Sequence, residues 1–83
     1  MESRKRYLFD SPGKYRIRVH GFLDESWSER LGDMRITTSS QKDKEPVTEL
    51  VGQVRDQAEL AGVLNGLYEL HLALLSVEYL DGD

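Results

Sequence analysis

Cysteine is absent, and with it go a disulfide framework, a thiolate metal site and a cysteine nucleophile. Proline occurs twice and tryptophan once, and His20 and His71 are the two histidines available for acid–base or metal chemistry. No apolar run approaches the roughly 20 residues that a helical membrane span needs. The opening residues Met1-Glu2-Ser3-Arg4-Lys5-Arg6 lead into no apolar stretch, so they do not read as a secretory signal. Together these absences lead us to expect a soluble cytoplasmic protein. What is present has a globular balance, with 39% hydrophobic and 31% charged residues in a chain of 83. That length suits one domain with a compact core.

The formal charge of −4 hides a gradient. Residues 1–20 sum to +4, residues 21–44 to −1 and residues 45–83 to −7. A basic beginning and an acidic end make a polar molecule able to pair head to tail with copies of itself.

The clearest pattern is Tyr15-Arg16-Ile17-Arg18-Val19-His20, apolar at odd positions and basic at even ones. That is the two-residue period of a half-buried strand. Tyr15, Ile17 and Val19 are expected to face the core, with Leu23 continuing that face. Lys14, Arg16, Arg18 and His20 are expected on the opposite side. Ser26 with Glu29 three residues on fits a capping box, and Gly32 fits a C-terminal stop, so residues 26–32 predict a helix of one or two turns. Trp27 and Leu31 would pin it to the sheet. Met34 to Thr38 reads as a second strand, residues 39–46 as a polar hairpin loop, and Val47 to Arg55 as a third strand. In that third strand Leu50 and Val54 suit the core face.

Asp56 and Glu59 make a second capping box, and Leu60, Val63, Leu64, Leu67, His71 and Leu74 follow helical spacing. The helix they predict ends near Leu70. Leu74 to Leu80 is a final strand with Leu75, Val77 and Tyr79 on one face. The order β, short α, β, β, α, β predicts an α+β fold, a ferredoxin-like sandwich with a four-stranded antiparallel sheet and both helices on one face. A sheet with a single covering helix is the alternative. Residues 1–13 are expected to be a flexible N-terminal segment, 14–80 a single domain and 81–83 a tail.

From Leu50 to Tyr79 the chain resembles the strand–turn–helix–strand unit of ACT domains, small regulatory modules that bind amino acids at paired-sheet interfaces. The likeness lies in Val51-Gly52-Gln53-Val54-Arg55-Asp56, the Leu60/Val63/Leu64/Leu67 helix and Leu74-Leu75-Ser76-Val77-Glu78. It implies a ligand near Arg55, Asp56 and Gln57. The stretch from Asp56 to Glu78 is also similar to short bacterial proteins without an assigned function.

Catalysis lacks a constellation. Neither histidine has metal-ligand spacing, Ser26 and Ser28 lie in no nucleophile elbow, and no glycine loop cradles phosphate. We expect no enzyme, no metal and no cofactor. The basic strand, with Phe22 beyond it, has the residue types of a sheet that holds single-stranded nucleic acid. The acidic balance of the whole chain and the pairing of Arg16 or Arg18 with Glu49 and Glu78 argue against that partner. Ala58, Gly62 and Gly66 recur every four residues opposite the apolar arc, a stripe that lets a second backbone approach and so a route to a homodimer. The uncovered face, where Phe22, Val47, Val51 and Leu80 mix with charge, suits a protein partner. The expected function is therefore a small non-catalytic interaction module, an adaptor, regulator or accessory subunit. It would act through Arg16, Arg18, His20, Phe22 and Glu78, and through self-association.

Overall fold

A computed structural model describes residues 13–40 and 42–81. Four strands form one sheet: β1 (Gly13–His20), β2 (Arg35–Ser39), β3 (Val47–Val54) and β4 (Ala73–Asp81). Their order across the sheet is β2-β3-β1-β4, and every neighbouring pair is antiparallel. Both β3 and β4 oppose β1, which lies between them, so those two point the same way. A 3-10 helix (Glu25–Leu31) joins β1 to β2, and the helix α1 (Gln57–Glu69) joins β3 to β4. The fold is α+β with two helices. The expected N-terminal segment lies outside the described residues except Gly13, which already pairs in β1, and Asp81 belongs to β4.

Alternation decides β1. Tyr15, Ile17 and Val19 are buried, while Lys14, Arg18 and His20 are exposed and Arg16 is half-buried. The buried set joins Leu50 and Val54 of β3 and Leu60, Val63 and Leu67 of α1 in one hydrophobic cluster. Leu31 from the 3-10 helix is buried in the same cluster, with Trp27 packed beside it, so both helices feed one core. Gly21, at φ 112°, takes a conformation that side chains rarely adopt, and the strand stops there.

Helix α1 starts on its capping residues. Asp56 accepts from the Glu59 amide at 2.9 Å, and Glu59 accepts in return from the Arg55 amide at 2.7 Å, one residue earlier than a simple box. At the other end, the His71 amide donates to Tyr68 O and the Leu72 amide to Leu67 O, the bond pattern of a Schellman stop. His71 occupies its left-handed position at φ 64°. It is exposed in the turn, and it does not continue the apolar arc as its spacing predicts.

The first helix also differs from expectation. It is 3-10 rather than α, its N-cap is Asp24, and no side chain caps it. Ser26 donates instead to the Asp24 carboxylate. Gly32 ends it as expected, left-handed at φ 74°. Among the described residues, no helix is long and apolar enough to cross a membrane.

Candidate functional site

Residues paired directly across an antiparallel sheet share a face. The side away from the helices is therefore a grid read from the register. Its central rows are Arg35, Val51, Arg16, Glu78 and then Thr37, Glu49, Arg18, Ser76. A third row, Ser39, Val47, His20, Ala73, closes one end. Both helices pack on the other side, so no described helix covers this face.

Its charges are ordered. Arg16 Nη1 donates to Glu78 Oε1 at 2.9 Å, and its Nε lies 3.4 Å from Glu49 Oε2. Arg18 Nε donates to the same Glu49 oxygen at 3.1 Å. Glu49 on β3 thus holds both arginines of β1, and Glu78 on β4 holds the first. The chain Glu78–Arg16–Glu49–Arg18 ties three strands together across the face. These groups are a third to a half exposed, so each pair contributes at most about 1 kcal/mol. Two atoms in this layer, Arg16 Nε and Ser76 Oγ, are buried without a hydrogen bond.

Four of the five expected contact residues, Arg16, Arg18, His20 and Glu78, fall on this face. Phe22 does not join them in the strand. It follows Gly21 in the connecting loop, 66% exposed. Val47 and Val51 lie on the face as expected, half-buried, whereas Leu80 is an extra residue where the β4 register shifts.

The small-residue stripe divides. Nothing lies within 4 Å of where a Gly62 Cβ would sit, and Ala58 is exposed. A Cβ on Gly66 would come within 2.9 Å of Leu31 Cδ2, so Gly66 serves the contact between α1 and the 3-10 helix. The trio Arg55, Asp56 and Gln57 is occupied locally. Asp56 caps α1, the Arg55 side chain meets Glu59, and Gln57 Nε2 donates to the Tyr15 hydroxyl at 3.0 Å. Among the described residues no three metal-ligating side chains come together.

One surface lies outside the sequence-based reading. Leu74, Val77 and Tyr79 pair with Val19, Ile17 and Tyr15, so they sit on the core side of the sheet. They are nonetheless 53%, 38% and 42% exposed, whereas their partners Val19, Ile17 and Tyr15 on β1 are buried. Leu75, the extra residue between the Arg18–Ser76 and Val19–Leu74 pairs, is also exposed. The apolar residues of β4 look like core in one dimension. Only the strand order, which puts β4 at an edge, reveals them as surface.

A family model described as "Domain of unknown function (DUF8691)" matches residues 14–78. No curated protein and no solved structure matches the chain.

Proposed function

Since this chain belongs to the DUF8691 family, whose description assigns no activity, we propose its function from its own surfaces. It is a small non-catalytic, cytoplasmic protein-interaction module, an adaptor, regulator or accessory subunit. Its open sheet face meets a protein partner, and the chain self-associates. We also read its fold as ferredoxin-like. The order β2-β3-β1-β4, the β2–β3 hairpin and the α1 connection between two strands that point the same way support that finer name.

The observation that carries the function is the sheet face that no described helix covers. Lys14, Arg18, Arg35 and His20 stand exposed on it, while Glu49 and Glu78 hold Arg16, and Glu49 also holds Arg18. Charges already ordered by neighbours lose little side-chain entropy on binding. Val47 and Val51 give the cations an apolar floor, the mixture found in protein interfaces. An acidic protein surface fits this arrangement best. Nucleic acid fits it less well, because two carboxylates stand among the cations where phosphates would come.

The test is quantitative affinity purification from the native host with the wild type and with Arg18→Glu combined with His20→Glu. The reading expects a protein retained by the wild type and lost with the double variant, whose fold circular dichroism checks. Equal capture by both overturns it. Salt-dependent retention on an oligonucleotide column, or a thermal shift with free amino acids, would replace it with a nucleic-acid or a ligand-sensing role.

A further inference from the structure

We infer that β4 is where two copies of this chain meet, β4 against β4, antiparallel, about a two-fold axis through Val77. This rests on the self-association half of the proposed function and names its surface. The first ground is the contrast between the two sheet edges. At one edge β2 has five residues, with Arg35, Thr37 and Ser39 along its open face. At the other, β4 has nine, and no described strand pairs with its outer side. Natural edge strands are guarded by lysine, proline, inward charge, bulges or shortness, and the two bulges of β4 lie at Leu75 and Leu80, outside the stretch Ser76 to Tyr79. From Ala73 to Leu80 this strand carries one charge, Glu78, and Arg16 already holds it.

The second ground is self-complementarity. The β4 register shifts at Leu75 and at Leu80, which leaves Ser76 to Tyr79 as an evenly paired stretch. An isologous antiparallel pair centred on Val77 sets Val77 against its own copy and Ser76 against the partner's Glu78. Leu75 then comes opposite the partner's Tyr79, so apolar side chains meet apolar ones. Centring on Glu78 instead would oppose two like charges, which destabilises a cross-strand pair. The Val77 centre avoids that repulsion.

A third ground is the breadth of the apolar strip, which Leu74, Leu75, Val77 and Tyr79 leave exposed along β4. Leu74 borders the exposed Tyr68 at the end of α1, which widens the apolar strip toward the helix layer.

Light scattering on the full chain at high micromolar concentration should give twice the 9.5 kDa chain mass. Val77→Lys sets two ammonium groups across the axis and should weaken the dimer by about a hundredfold or more, with circular dichroism unchanged. Because the chain has no cysteine, Val77→Cys is a single reporter. It should oxidise to a covalent dimer, whereas Gly62→Cys should not. A monomeric wild type overturns self-association altogether, including by cover of the strip with the chain's own N-terminal residues. A dimer that survives Val77→Lys, or that links through Gly62→Cys, overturns the β4 interface and leaves self-association standing. The open face is judged separately by the Arg18→Glu and His20→Glu capture.

Discussion

Thr48 is the fully buried polar side chain of the described core, and its hydroxyl is spoken for twice. It donates to Gly21 O at 2.7 Å, so its single proton is committed there. The 2.9 Å contact with the Thr38 hydroxyl must then run from Thr38 to Thr48. Thr48→Val keeps the shape but strands the Gly21 carbonyl and leaves the Thr38 hydroxyl without its acceptor. The expected loss is about 1–3 kcal/mol, read as a lower urea midpoint at unchanged slope. His71 offers the opposite case. It holds the left-handed C-terminal position of α1, where a side chain costs about 1–2 kcal/mol that glycine avoids. Glycine also loses more entropy on folding, so His71→Gly should stabilise by a net of about 0.5–1 kcal/mol. In a chain this short that is a melting temperature a few degrees higher. A lower one would mean that His71 makes a contact worth more than its strain.

At the scale of elements, legibility followed local periodicity. The alternation of β1 survives intact because each second residue must be wetted or buried whatever packs above it. The start of α1 is legible for a similar reason: Asp56 and Glu59 satisfy amides within four residues of themselves. Long-range facts were not legible. Two extra residues in β4 change which side chains face the helices without disturbing the apolar pattern of its sequence. Gly66 and Gly62 look alike in sequence and differ only in what lies opposite them. Gly62→Ala enters open space and should add up to about 1 kcal/mol of helix propensity. Gly66→Ala must displace Leu31, which is buried, and should give back that gain or more. Urea denaturation of the two variants side by side separates them, and equal stabilisation would show that Leu31 yields freely. Dimerisation, seated on β4, should be indifferent to Gly62→Ala.

Across the whole molecule, the sheet divides two kinds of surface. Helices, and most of the acids beyond β3, lie to one side or in the turns, while the exposed cations of β1 and β2 look out from the other. Glu49 is the hinge of that arrangement, since it faces Arg16 and Arg18 at once. Neutralising it removes two attractions and leaves two guanidinium groups side by side on one strand. Each exposed pair contributes about 0.2–1 kcal/mol, so Glu49→Gln should cost roughly 1 kcal/mol at low ionic strength. At about 1 M salt the screening length falls to about 3 Å, and most of that difference should disappear. Urea is the denaturant to use, because guanidinium would itself screen the network. A loss that salt leaves unchanged would mean that Glu49 acts through packing rather than charge, leaving the Arg16–Glu78 pair as the ordering contact of the face. A salt-sensitive loss, with Arg18→Ala and Glu49→Gln coupled in a double-mutant cycle, is the outcome the geometry requires.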